Sequence, residues 1–322
     1  MTAMRVAVVG AGVSGLTCAV ALLEAGADVR LVCAGAPLGT VSAVAGAMVG
    51  PVFDSGDART LVWERRADRM FRSLARDPGT GVRVLRGRLL ASPVLGPRLP
   101  PWAAEVPGYA GELEPTQLPD HFVSGFAAEL PFADMPRYLA WLVGRVAKLG
   151  GTIVQRVVTD LEAVDPAAEV VVNCAGLGAA ALAGDDTMEP IWGQHVVLDA
   201  PDVREFAYEG GGSGDVLAAF PHARGVLVGG VRRPGRNELT PDLEIARESI
   251  ARAAAAFPSL AHAPILGIEV GLRPGRPSVR LEAERRGDVT IVHDYGHDSR
   301  GVLWSWGCAA EVVELCGLEP PD

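Results

Sequence analysis

Two short stretches of the chain carry residue types that bind anions. The first is Gly10-Ala11-Gly12-Val13-Ser14-Gly15, near the N-terminus. In this spacing Gly10 permits a tight turn, Gly12 lets the backbone approach a pyrophosphate with no Cβ in the way, and Gly15 lets a helix pack close to a strand. The pyrophosphate then meets the free N–H groups and the positive end of that helix. The alternative is a glycine-rich turn with no ligand. The second stretch is Gly271-Leu272-Arg273-Pro274-Gly275-Arg276-Pro277. A guanidinium is planar, permanently charged and pairs bidentately with a carboxylate, so Arg273 is a candidate clamp for a small acid. The alternative is a surface arginine solvating a loop between prolines.

Other reactive types point to less. The six histidines show no HxxxH or HExxH spacing, so no metal site is expected. His293 reads as a structural donor to backbone, and His297 as a neighbour of the ligand. The stretch 172–178 has no serine at which a nucleophile elbow could form. The five cysteines are odd in number, lack CxxC spacing and sit mostly in apolar stretches. They read as reduced thiols of a cytoplasmic protein.

The elements that must hold these groups follow from periodicity. Residues Arg5 to Val9 form a short β-branched run, Val13 to Ala25 have helical spacing, and Val29 to Cys33 form a second strand. This is a strand–turn–helix–strand unit of the dinucleotide-binding kind. A small-residue loop spans 39–50, and a helix is expected from Thr60 to Leu74. Residues 81–132 are rich in proline and short strands, an antiparallel insertion. A helix over Pro136 to Leu149 stops at Gly150-Gly151. Strands are expected over 152–158, 169–174, 194–198, 225–230, 268–272 and 289–293, with helices over 243–257 and 301–315. Trp304 and Trp306 alternate in a manner that suits strand or core packing.

The fold class is α/β: a Rossmann-like nucleotide-binding domain interleaved with an α+β substrate domain on a mixed or antiparallel sheet. The first takes residues 1–80, 136–185 and 285–322, and the second 81–135 and 186–284. Of the 322 residues, 49% are hydrophobic and 21% charged, enough for a sizeable core. A net charge of −10 repels phosphate backbones, so no nucleic-acid partner is expected. No run of about 18 apolar residues suggests a membrane span. The first apolar segment reads as a strand rather than a secretory signal. The oligomeric state is open, a homodimer being one option.

Along nearly its whole length the sequence resembles the D-amino-acid oxidases and D-aspartate oxidases. The likeness lies in the glycine motif, in Thr40-Val41-Ser42-Ala43-Val44-Ala45-Gly46, and in Val171-Val172-Asn173-Cys174-Ala175-Gly176. It continues in the arginine motif and in Ile291-Val292-His293-Asp294-Tyr295-Gly296-His297 with Gly301 and Trp306-Gly307-Cys308-Ala309. The resemblance implies FAD held by Gly10 to Gly15, Thr40, Val41, Ala45, Gly46, Ala47, Val158, Cys174, Ala175, Gly176, Arg273 and the run Asp298, Ser299, Arg300, Gly301, Val302, Leu303. It implies Arg273 on the substrate carboxylate, hydride transfer to flavin from a D-amino acid or related amine, and O2 as acceptor. The cofactor performs the redox step, so no catalytic Ser, His or Asp is required.

The chain departs from that family's pattern at several places. The tyrosine expected before an apolar-apolar-Pro run falls on Ala218, and the lid segment 208–214 is mostly glycine, with Tyr208 its one phenol. Small residues at Ala47 and Ala218 point to a bulky or unusual amine. Asp298-Ser299 stand where the family has paired glycines, and Arg300 where it has an aromatic. Asp298 could hold the substrate's ammonium, hold a basic side chain, or be a solvated turn residue. A specialised amine oxidase or dehydrogenase, or a non-catalytic binding protein, are the competing readings. The second strand ends in Val32-Cys33-Ala34-Gly35, without the acid that holds the ribose hydroxyls. Loss of that charge-assisted hydrogen bond costs on the order of 1.5–3 kcal/mol. FAD is therefore expected to leave on dialysis and return when added. A sub-nanomolar Kd, measured by fluorescence titration of the stripped protein, would mean that another group holds the ribose.

Overall fold

A computed structural model describes residues 3–50, 57–92, 104–210 and 214–320. The chain opens with β1 (Arg5–Val9), α1 (Val13–Glu24) and β2 (Asp28–Cys33), the unit expected from its periodicity. β1 lies parallel between β2 and β7 (Val170–Asn173). With β6 (Thr152–Gln155), β14 (Arg280–Arg286) and β15 (Val289–Tyr295) they form a six-stranded sheet in the order β14-β15-β7-β1-β2-β6. All its neighbours run parallel except β14. The central strands are continuous apolar runs because both faces are covered.

α1 and α6 (Gly301–Leu315) account for much of that cover. α6 buries residues all round, from Val302 to Val313, and lies between α1 and α2 (Ala58–Leu74). A Cβ at Gly307 would fall 2.2 Å from Trp63 Cα, so α2 crosses α6 at backbone contact. Trp304 and Trp306 are buried on this helix, not on a strand, and Trp306 Nε1 donates to Tyr138 Oη at 2.8 Å. α2 begins before Thr60 because Asp57 caps it, accepting from Arg59 N at 2.9 Å. α3 (Met135–Lys148) packs on the other side of α1 through Tyr138, Leu139, Leu142 and Val146.

A nine-stranded mixed sheet forms the second layer among the described residues. It is built from β3 (Val82–Ala91), β4 (Tyr109–Glu112), β5 (Ser124–Ala133), β8 (Glu189–Leu198), β9 (Phe206–Gly210), β10 (Ala218–His222), β11 (Gly225–Gly229), β12 (Arg233–Pro234) and β13 (Ile265–Gly275). The expected antiparallel insertion is the β3–β5 and β4–β5 pairing. Residues 93–103 of that insertion lie outside the described residues. α5 (Leu243–Ala256), capped by Asp242, covers this sheet through Ala246 and Ala253.

Three boundaries differ from expectation. The strand from Thr152 stops at Gln155: Arg156 N donates the last rung, to Cys33 O at 2.8 Å where β2 ends, and Val158 lies beyond the ladder. Two short helices, α4 (Ala179–Ala183) among them, follow Cys174 and carried no periodic signal. The third concerns the return of the chain to the first sheet. β13 ends at Gly275, and β14 pairs with β15 from Arg280 onward, before residue 285.

The loop 40–47 joins the two layers. Loop and sheet meet at glycines from both sides: a Cβ at Gly46 of the loop would meet Phe220 Cδ2 at 2.9 Å, and one at Gly271 of β13 would meet Val41 Cγ2 at 2.8 Å. Two histidines of the second sheet donate to this loop. His195 Nδ1 lies 3.0 Å from Val44 O and His222 Nε2 lies 3.1 Å from Gly46 O. Burial and the nearby Arg273 push the His195 pKa down to about 4, and burial pushes that of His222 to about 3. Both are neutral in the fold, whereas each takes a proton near pH 6.5 in the unfolded chain. The unfolded state therefore binds more protons below pH 6.5. Stability is at its plateau above that value and falls between about pH 6.5 and 4, on the order of 1 kcal/mol per pH unit for each histidine. Urea unfolding at pH 7.5 and pH 5 should show this loss, and His222→Asn should flatten the slope.

Candidate active site

A cleft of about 1630 Å³ runs from the C-terminal ends of β1, β2 and β7, under the loop 40–47, to the second sheet. Small-molecule pockets are typically about 300–1,000 Å³, so this volume suits a dinucleotide together with a small substrate. Crevices at the carboxyl ends of parallel strands are the usual ligand sites of such sheets.

The nucleotide end is shaped by backbone. Gly10 has φ 110°, and a Cβ there would lie 2.3 Å from Cys174 O. A Cβ at Gly15 would lie 1.9 Å from Gly10 O. These two glycines let α1 and β7 meet β1, and Gly15, alone of the sequence-derived cofactor residues, does not line the cleft. Gly12 is extended at φ −75°, and a Cβ there would meet only Ser42 Oγ, at 3.2 Å. The helix it opens has no side-chain cap and no acid in its first turn. Ser42 Oγ accepts from Val13 N at 3.0 Å. This is a cradle for a phosphate, and its residues fit FAD.

Around it the cleft is lined by Ala11, Ser14, Cys33 to Ala36, Thr40, Val158 and Cys174 to Gly176. No carboxylate stands at the end of β2. At the far side lie Ala45 to Ala47 and the turn into α6, Asp298 to Leu303. α6 also starts without a side-chain cap, so its first N–H groups face the same cleft. Before the turn, His297 Nε2 lies 3.0 Å from Asp294 Oδ1, a buried contact without hydrogen-bond alignment. Cys18 and Cys174 lie 3.4 and 3.6 Å from the other Asp294 oxygen. Spacing along the chain does not reveal these donor sets, nor the Asp294, His297 and Cys308 grouping. His293 bridges Asn173 Nδ2 (3.3 Å) and Glu284 Oε1 (3.0 Å), side chains rather than the backbone expected.

The substrate end is built on β8, β9, β10 and β13. Arg273 projects from β13 across Gly193 of β8, where a Cβ would fall 2.3 Å from Nη1. Its Nη1 donates to Val231 O at 3.1 Å and reaches Trp192 O at 3.5 Å. Nε and Nη2 make no hydrogen bond among the described residues, which leaves them for a ligand. Removal from water lowers the Arg273 pKa, an effect that Asp298 opposes. This is a half-buried arginine on a strand, not one solvating a loop.

Ala218 lines the cleft as expected, and its direct cross-strand partner is Tyr208 of β9. The phenol therefore enters from the neighbouring strand, beside Phe220 at 6.0 Å between ring centroids. Burial raises its pKa, and Arg300 and Arg273 pull it down, so the three share one electrostatic neighbourhood. The glycine-rich segment is partly strand, since β9 extends to Gly210; residues 211–213 lie outside the described residues. Arg300 lies over Trp304 at 5.3 Å. Asp298 has φ 52° and is ion-paired with Arg232, a residue that sequence reading passed over. His195, Gly193 and Glu209 of the lining were missed as well.

The family profile of FAD dependent oxidoreductases matches residues 5–315. The chain is 40% identical to a D-amino-acid oxidase of Rubrobacter xylanophilus over 97% of this chain and 96% of that protein. It is 35% identical to a human D-aspartate oxidase over 98% and 95%. It superimposes on a glycine oxidase from Geobacillus kaustophilus with a TM-score of 0.80 at 19% identity, over 98% and 95% of the two chains. The chain belongs to the FAD dependent oxidoreductase family.

The three motif glycines separate fold from ligand. Gly10→Ala and Gly15→Ala should each destabilise the fold by about 1–3 kcal/mol or more, since a methyl meets backbone. Gly12→Val should keep the far-UV circular dichroism of the parent and bind no FAD. Normal flavin content in that variant would remove the cradle from the cofactor site.

Proposed function

We propose that the chain is an oxidase of D-amino acids. In the overall reaction a D-amino acid, O2 and water give the 2-oxo acid, ammonium and hydrogen peroxide. FAD supplies the acceptor for the hydride of the substrate Cα–H. Gly12 to Ser14 would hold its pyrophosphate, Cys33 to Ala36 its adenosine end, and Asp298 to Leu303 its flavin end.

The observation that carries this reading is Arg273. Its guanidinium is held by two backbone carbonyls, drawn out of water and set over a glycine, with two donor nitrogens left for a planar acid. That is the geometry of a bidentate carboxylate clamp. Tyr208 adds a hydroxyl donor close to the same group, and the clamp fixes the orientation of the substrate Cα. The N-terminus of α6 presents N–H groups to negative charge that develops during the reaction. The buried, reduced thiols support a cytoplasmic location. The identities of the curated relatives agree with this substrate class.

Oxygen uptake and peroxide formation across a panel of D-amino acids test the activity, and a protein that consumes no oxygen with any of them is not this oxidase. Removing one partner of a buried charged contact costs about 2–5 kcal/mol, so Arg273→Leu should lower kcat/KM by roughly 30-fold to several thousandfold. Arg273→Lys should also be impaired, because an ammonium cannot reproduce the fork. The decarboxylated amine should react poorly with the parent. Equal rates for amine and acid would move the substrate class to amines.

A further inference from the structure

Three separated segments close into a ring beside the clamp. Arg273 Nη1 donates to Val231 O at 3.1 Å. The next residue, Arg232, is ion-paired through Nη1 with Asp298 Oδ2. Asp298 N donates to Pro274 O at 2.8 Å, and Pro274 follows Arg273. The substrate clamp, a second arginine and a carboxylate are thus one link apart, and all three line the cleft. Arg232 is the more exposed member, its side chain 46% accessible against 17% for Asp298.

A second guanidinium next to a carboxylate clamp is a ready site for a second carboxylate. Here the protein fills it with its own. The other oxygen, Asp298 Oδ1, is buried without a hydrogen-bond partner among the described residues. A second anion arriving beside Arg232 would meet a guanidinium already neutralised by a carboxylate. Glu209, also in the lining, adds a further negative group, while Arg300 lies over Trp304.

We propose that Asp298 sets substrate selectivity: it occupies Arg232, denies that guanidinium to the side-chain carboxylate of an acidic substrate, and so reserves the cleft for D-amino acids with uncharged side chains. The inference rests on the D-amino-acid reading of the cleft. Specificity here comes from a repulsive, pre-filled contact rather than from added attraction.

The test compares one and two carboxylates on the FAD-loaded enzyme. Calorimetric titration gives Kd for propionate and for succinate, and steady-state kinetics give kcat/KM for D-alanine and D-aspartate. The parent should favour propionate and D-alanine. Asp298→Asn keeps a residue that tolerates a positive φ and removes the charge; Asp298→Gly frees the arginine fully. In both, the succinate-to-propionate affinity ratio should rise tenfold or more, with the D-aspartate-to-D-alanine ratio following. Adding Arg232→Leu to Asp298→Asn should abolish the gain. A purely structural role for Asp298 would weaken both ligands together and leave the ratios unchanged. Ratios that move less than twofold in both single variants, or a gain that survives in the double variant, overturn the proposal. If D-alanine is not oxidised at all, the D-amino-acid reading fails on its own, and the succinate-to-propionate ratio still decides the role of Asp298.

Discussion

The structure turns on a crossing where no side chain fits. Gly10 and Gly15 bring the start of α1 against β1 and the end of β7 at distances that a single methyl would break. Because the helix sits that close, its uncapped N-terminus opens at the carboxyl ends of three parallel strands rather than over solvent. The cleft inherits its floor from this contact. α6, which packs on α1, brings a second uncapped helix start to the other end of the same cleft. Two uncapped helix starts of one sign thus open on one cleft, and each favours negative charge placed against it.

A second constraint fixes how the two sheets meet. The loop 40–47 belongs to the nucleotide layer by sequence but rests on Phe220, His195 and Gly271 of the other layer. Its carbonyls point at imidazoles that burial keeps neutral, so the joint is made of hydrogen bonds between uncharged groups. Such a joint is strong where water is scarce and adds no ionic partner to compete with a substrate. Of the cations near it, Arg224 is paired with Glu269 and Arg83 donates to Pro221 O, while Arg273 keeps Nε and Nη2 for the ligand.

The parts legible in the sequence were those whose partners are near in the chain or whose chemistry is unusual. β1, α1 and β2 follow one another, so period and glycine spacing revealed them together. Arg273 stood out because its flanking prolines and glycines make it distinctive. The long apolar helix α6 was found with its true limits. Contacts made across the fold were not legible. Arg232 and Asp298 are 66 residues apart, His195 and Val44 are 151 apart, and His222 and Gly46 are 176 apart. Nothing local marks these residues, since an arginine beside an arginine or a histidine in a strand has many ordinary explanations. Tyr208 shows the same limit. Pairing with Ala218 across two strands gives it a place at the site that no linear comparison with a tyrosine position could show.

Gly193 has a consequence for how this protein can change over generations. Its missing side chain is the space in which the Arg273 guanidinium lies, with Nη1, Cζ and Nη2 all within 2.4 Å of where a Cβ would be. The two positions, 80 residues apart on paired strands, are therefore tied in order as well as in kind. A larger residue at 193 is harmless only in a lineage that has already given up the arginine, and an arginine at 273 is useful only where 193 is already glycine. Descendants that recruit the fold for ligands without a carboxylate would be free to fill that space. A glycine kept at 193 is then a mark, readable on a second strand, of a lineage that still grips an acid.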